Sequence, residues 1–313
     1  MNESYNKSES VKVAYYYYKA GMTQDEIARK MSMSRQRVNR ILKKCLETGI
    51  VKITIQEYEE RNIELEARLE KLSGLNEVIA VECRSEEMTD SIAAAAASYL
   101  DRVLKDNDII GFSRGRALSS LVKQLMPTAR KNVTVTQLVG GLNAADSRVN
   151  SDDIVRNASV VLNAKPCFMY APIILENKKL RDSLMNESFF SNVYNTMKAC
   201  TIAMVGIGDM SEKSVFVHRN FLKNSELEIL KNNKAVGEVC THYFDINGKT
   251  INSGLNDRVI AIDYDSLLKI PLRVGIGGGP EKVEAIVGAI RSGLINVLIT
   301  DSGTAESCLK YIT

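Results

Sequence analysis

Arg35, Gln36 and Asn39 stand close together near the start of the chain, and these are the side chain types that form paired hydrogen bonds with guanine and adenine edges in a DNA major groove. Arg40, Lys43 and Lys44 follow, suited to phosphate oxygens. The window Ser34–Lys44 holds five basic residues and no acid. A second set lies in four glycine-bearing segments: Gly111-Phe112-Ser113-Arg114-Gly115-Arg116, Gly140-Gly141, Gly206-Ile207-Gly208, and Gly275-Ile276-Gly277-Gly278-Gly279 with Lys282. Glycine there permits close backbone approach, and amides at a helix start bind anions. Arg114, Arg116 and Lys282 add charge for a phosphate or carboxylate. Any one of these loops is accounted for as a tight strand-to-helix turn; four of them imply a ligand pocket.

The first set needs short helices to present it. Val11–Ala20 reads as a helix stopped by Gly21. Thr23-Gln24-Asp25-Glu26 is a capping box that starts a second helix running to about Met31, with Ile27, Ala28 and Met31 inward. Ser34 caps a third, in which Val38, Ile41, Leu42 and Cys45 form one apolar stripe. Arg35, Gln36, Asn39, Arg40 and Lys43 fall on the opposite face. Gly49 ends this helix, and Val51, Ile53 and Ile55 alternate with polar residues as a short strand. Two helices so joined predict a helix-turn-helix, with base readers at the start of the second. Thr23, Gln24 and Ser34, at the helix starts, complete the candidate DNA contacts. Residues 1–52 carry eleven Lys/Arg against five Asp/Glu, a net +6, whereas the whole chain is only +3. A helical pair used only for protein contacts shares the spacing but predicts no salt-dependent DNA binding.

The remaining residues supply the positioning of the second set. Glu57–Ser73 reads as a connector helix, placing a boundary between a DNA-binding domain at 1–56 and an effector-binding and oligomerisation domain at 57–313. Beyond it, apolar runs at Val78–Cys83, Asp108–Phe112, Val133–Val139, Cys167–Tyr170, Ile202–Ile207, Val236–Phe244, Leu272–Ile276 and Asn296–Thr300 alternate with helical segments such as Thr89–Leu104, Gly115–Met126, Ser151–Leu162, Pro280–Ser292 and Thr304–Ile312. Continuous apolar strands alternating with helices predict an α/β fold, Rossmann-like, with a mostly parallel sheet covered on both faces. In such folds ligands bind where strand C-termini meet helix N-termini.

Composition narrows the class. The 313 residues are 45% hydrophobic and 25% charged, as in globular proteins. No apolar run reaches the ~18 residues a membrane span needs, and the polar N-terminus lacks a signal-peptide core, so a cytoplasmic protein is expected. Cys45, Cys83, Cys167, Cys200, Cys240 and Cys308 are scattered, and with His218 and His242 they form no zinc spacing; no metal or cofactor is expected. Gly275–Pro280 breaks the dinucleotide fingerprint at its last glycine, and neither a phosphate loop nor a nucleophile elbow is present. An enzyme of sugar-phosphate metabolism with an appended DNA-binding domain would need a placed acid and base, which no motif supplies.

Nearly the whole chain resembles the SorC family of bacterial sugar-responsive transcriptional regulators. At the N-terminus the likeness rests on Gly21-Met22-Thr23-Gln24-Asp25-Glu26-Ile27-Ala28 and Val38-Asn39-Arg40-Ile41-Leu42. Further on it rests on Gly111–Arg116, Gln137-Leu138-Val139-Gly140-Gly141, Val205–Gly208, Val236-Gly237-Glu238, Tyr243-Phe244-Asp245, Gly277–Gly279 with Lys282, and Asn296–Asp301. The resemblance implies a sugar-phosphate-isomerase-like effector domain used for sensing, a phosphorylated sugar or similar effector, and homodimers or homotetramers on double-stranded operator DNA of a carbohydrate operon. A non-phosphorylated polyol or organic acid is the alternative effector. Carried over by motif, the effector contacts would be Gly111, Ser113, Arg114, Gly115, Arg116, Gln137, Gly140, Gly141, Asp245 and Lys282. Two departures stand out. Arg114 replaces a tryptophan common in the family, adding a cation to the pocket or pointing to solvent. Val139 replaces the lysine through which the family's deoxyribonucleoside regulator holds an aldehyde, so that covalent capture is not available here.

Overall fold

The computed structural model describes residues 7–53, 60–141, 151–211 and 222–313, and contacts divide the chain into two units, Met1–Tyr58 and Glu59–Thr313. In the first unit α1 (Lys7–Tyr18), α2 (Gln24–Lys30) and α3 (Arg35–Glu47) pack around Val13, Ala14, Ile27, Ala28, Val38, Ile41, Leu42 and Cys45. The starts of α2 and α3 are fixed locally. The Thr23 hydroxyl accepts the Glu26 amide at 3.3 Å while the Glu26 carboxylate accepts the Thr23 amide at 2.7 Å, and the Ser34 hydroxyl accepts the Arg37 amide at 3.2 Å. Both Gly21 and Gly49 follow their helices at positive φ. The strand expected from Val51 does not form over residues 51–53. The Val51 amide turns back to the Cys45 carbonyl at 3.0 Å, and Ile53 is 62% exposed; Ile55 lies outside the described residues.

In the second unit α4 (Glu60–Ser73) leads into a seven-stranded, wholly parallel sheet. Its strands are β1 (Glu77–Val81), β2 (Ile109–Phe112), β3 (Thr134–Gln137), β4 (Lys165–Cys167), β5 (Ile202–Gly206), β9 (Leu272–Ile276) and β10 (Val297–Asp301), in the order β1-β10-β9-β5-β2-β3-β4. Between them run α5 (Met88–Val103), α6 (Arg116–Gln124), α7 (Ser151–Val161), α8 (Lys178–Met185), α9 (Ser188–Lys198), α10 (Asn224–Asn232), α11 (Tyr264–Lys269) and α12 (Val283–Arg291), and α13 (Ser302–Ile312) closes the chain. Residues of β2, β3, β5 and β10 are buried on both faces, as a doubly covered parallel sheet requires, whereas the edge strand β4 is largely exposed. Ile110, Phe112, Ile202, Met204, Val274, Ile276 and Ile299 form one core with residues of α5, α6 and α7. Their strand neighbours Ala203, Val205 and Leu298 belong to the other core, with residues of α4, α9, α12 and α13.

Three differences from the expected elements matter. Val236–Phe244 is not one strand but two, β7 (Ala235–Val239) and β8 (His242–Asp245), which with β6 (Gly208–Asp209) form a separate antiparallel sheet. The reversal falls at Cys240 and Thr241, with φ of 50° and 69°, conformations that neither residue type announces. The fourth strand is Lys165–Cys167, not Cys167–Tyr170. Helices α8 and α9 fill a stretch where no element is read. Among the described residues no helix is long and apolar enough to cross a membrane.

Candidate functional site

In the first unit, α3 buries Val38, Ile41, Leu42 and Cys45 and leaves Arg35, Gln36, Asn39, Arg40 and Lys43 exposed. This is the face that DNA reading requires. Arg37 faces elsewhere, bonded to Glu9 of α1 at 3.1 Å. Arg35 lies 3.7 Å from Asp25, with side chains 68% and 61% exposed; so open a pair contributes less than about 1 kcal/mol and yields readily to a base or phosphate. Thr23 is spent on its cap, since its hydroxyl also donates to Glu26 at 2.8 Å. That bonding, the Thr23 amide first and its hydroxyl second, holds the Glu26 carboxyl below 4.5. Gln24 is half-buried. Thr23 and Ser34 therefore serve first to place α2 and α3.

In the second unit, strand order reverses beside β2. The chain passes outward through β3 and β4, then returns as β5 on the other side of β2 and continues to β9 and β10. Such a switch point opens a crevice at the strand C-termini. Ser113 and Arg114 leave β2 there, Gly206 to Asp209 leave β5, and Gly277 to Lys282 leave β9. The Ser113 hydroxyl accepts the Gly206 amide at 2.9 Å, tying the first two exits together. Across this junction comes Glu238 from β7, its carboxylate 3.8 Å from the Arg114 guanidinium. Its second oxygen accepts the Thr241 amide at 2.8 Å. Gly208 makes room, because a Cβ there would lie 2.5 Å from Glu238 Oε1. Lys282 donates from Nζ to the Ile207 carbonyl. Burial pulls the Lys282 ammonium below its usual 10.5; Asp209, Glu238 and Glu281 oppose that shift, and Arg116 adds to it. Lys282, Arg116 and Arg114 thus gather with Asp209, Glu238 and Glu281 in one cluster of mixed charge. An anion would favour the charged lysine, and carboxylates accept from hydroxyls.

Several expected contacts have other work. Gly111 lies inside β2, where a Cβ would strike Leu138 at 2.5 Å. Gln137 is fully buried, accepting the Met169 amide at 2.8 Å and donating to Ser151 at 2.7 Å, so its amide braces neighbouring segments. Gly140 and Gly141 bond to Ile260 and Ala171 at 2.9 and 2.8 Å, and a Cβ on Gly140 would lie 2.7 Å from the Ala171 carbonyl. The Gly279 amide, expected to be open to an anion, is taken by Asp301 at 3.0 Å and Thr304 at 2.8 Å. Gly115 stands immediately before α6. Asp245 is removed from the cluster: it accepts the Asn247 and Lys249 amides at 2.9 Å. Its carbonyl packs at Gly288, late in α12. Lys282 precedes that helix, which puts roughly 10 Å of helix between them. The carboxylates in the cluster are Asp209, Glu238 and Glu281; Glu238 lies within the Val236-Gly237-Glu238 motif, but none of the three is singled out in the sequence.

Elsewhere, His242 is buried with Nε2 2.9 Å from the Ile262 carbonyl, and His218 lies outside the described residues. All six cysteines are free. An open concavity at the other end of the strands, lined by Arg102, Lys105, Arg130 and Leu272 among others, has both its arginines engaged: Arg102 pairs with Glu77 and Arg130 donates to the Leu104 carbonyl at 2.8 Å.

Residues 58–310 match the profile of a sugar-binding domain family, and residues 11–48 match that of sigma-70 region 4. The sorbitol operon regulator of Klebsiella pneumoniae is 31% identical over 305 residues, 96% of this chain and 97% of that protein. The deoxyribonucleoside regulator of Bacillus subtilis (strain 168) is 27% identical over 304 residues, again 96% and 97%. The crystal structure of the full-length Klebsiella pneumoniae regulator superposes with a TM-score of 0.75 at 30% identity, covering 96% of this chain and 98% of that one.

Proposed function

The chain belongs to the SorC family of transcriptional regulators with a sugar-binding domain, and from that membership we propose that its exposed α3 face reads operator DNA while a phosphorylated sugar occupies the crevice beside β2 and β5. It is a DNA-binding regulator and not an enzyme, as are its named relatives. In this reading residues 1–56 bind DNA, with Arg35, Gln36 and Asn39 on base edges and Arg40 and Lys43 on phosphates. Residues 57–313 bind the effector and assemble a homodimer or homotetramer, which sets the spacing of paired recognition helices. The regulated genes are those of carbohydrate use.

What supports the effector assignment is the junction of strand exits at the switch point, where Lys282 donates to the Ile207 carbonyl and Arg116 opens α6 beside the Ser113–Gly206 bond. With the glycine-loop amide committed internally, recognition of a phosphate falls to the two cationic side chains. A thermal-shift panel of phosphorylated sugars, free polyols and di- or tricarboxylates tests it, because a ligand that binds the folded state raises the melting temperature. The strongest ligand is expected to be a phosphorylated sugar, with most of its shift lost in Lys282→Ala and in Arg116→Ala. A neutral polyol as strongest ligand, with both variants responding normally, contradicts the reading.

A further inference from the structure

We propose that Arg114, Glu238 and Tyr243 form a charge-neutral wall beside Lys282 and Arg116, so that the crevice selects a ligand with one anionic end and a hydroxylated remainder, and rejects ligands with a second anionic group. This rests on the assignment of the crevice as the effector site. The Arg114 and Glu238 side chains are only 15% and 11% exposed, and their charges lie 3.8 Å apart. Arg114 therefore spends its charge on a carboxylate of the protein rather than adding a third cation for the ligand. Glu238 is held from behind by the Thr241 amide and given its place by the absent side chain of Gly208, so it cannot swing away cheaply. Tyr243 faces Glu238 directly in the β7–β8 register, which puts both side chains on one face of the hairpin. Its hydroxyl is buried with no hydrogen-bond partner among the described residues, an arrangement that costs stability unless something else meets it. A ligand hydroxyl beside Glu238 supplies that partner. A second phosphate or carboxylate at the same place would face the little-exposed Glu238 carboxylate, where juxtaposed like charges are unfavourable.

The test is titration calorimetry of the full-length chain with triose, pentose and hexose monophosphates and the matching bisphosphates, repeated for Glu238→Gln. Wild type is expected to bind its best monophosphate more tightly than any bisphosphate. Glu238→Gln, nearly isosteric and still able to accept the Thr241 amide, is expected to move the monophosphate-to-bisphosphate ratio toward the bisphosphate by at least about tenfold. A wild-type preference for a bisphosphate, or an unchanged ratio in the variant, overturns the charge-neutral wall while leaving the phosphate site standing. A panel in which no phosphorylated compound binds, and only neutral polyols do, overturns both. If Glu238→Gln fails to fold, Tyr243→Phe gives an independent reading. It should weaken the best monophosphate severalfold while the ligand-free melting temperature holds or rises, and unchanged affinity contradicts the hydroxyl-reading role.

Discussion

Gln36 and Lys43 share the exposed face of α3 but differ in what they can read. An amide pairs with adenine, whereas an ammonium meets any phosphate. Gln36→Ala should relax preference at one operator position by about 1–3 kcal/mol, and Lys43→Ala should weaken all duplexes alike and lower the salt slope by about one. Binding to a set of operator variants at several salt concentrations separates the two. Lys282 offers a stability counterpart. Its ammonium is depressed below 10.5, chiefly by burial, so between that lowered value and 10.5 the unfolded chain binds the extra proton and stability rises with pH. Lys282→Met should flatten that rise, raise the ligand-free melting temperature at neutral pH by about 2 °C, and abolish the response to phosphorylated ligand. A lowered ligand-free melting temperature would contradict this. The cations were legible as residues because charge beside glycine is a local pattern. Glu238 was not, because its role depends on Gly208, Arg114 and a turn at Cys240 that no turn-forming residue marks.

At the scale of elements, the caps at Thr23 and Ser34 and the doubly buried strands were readable, since each is written within a few consecutive residues. Asp245 was misplaced for the opposite reason. A carboxylate closing a strand looks like a ligand contact until the sheet to which that strand belongs is known. The pair that ties α10 to the rest of its unit was also invisible in sequence, its members 32 positions apart: Arg258 bonds Glu226 at 2.7 and 2.6 Å and the Leu175 carbonyl at 3.0 Å. Burial works to raise the Glu226 carboxyl, but the bonds from Arg258 and the Lys223 amide outweigh it and hold the group below 4.5. Its stabilisation is therefore complete above 4.5 and is lost as pH falls through the lowered value. Arg258→Met strands a buried carboxylate and should cost about 3–5 kcal/mol, read as a fall in denaturant midpoint at neutral pH that narrows in acid. An unchanged midpoint would show the pair to be dispensable.

For the whole molecule, regulation requires that effector and DNA bias the same equilibrium. A ligand shifts that equilibrium only by its difference in affinity for the two states, and the coupling is reciprocal. The family and the α/β architecture were legible because their motifs recur in order along nearly the entire chain. The regulatory sign was not, because it depends on which state the ligand favours rather than on any local motif. In the proposed function, occupancy of the Lys282 crevice changes the grip of the α3 face on DNA. This coupling is tested most directly by measuring the affinity of the full chain for a duplex it selects from a random pool, with and without its strongest phosphorylated ligand. A change of at least about fivefold in the wild type, absent in Lys282→Ala, is the predicted result. Equal affinity with and without saturating ligand in the wild type would contradict it.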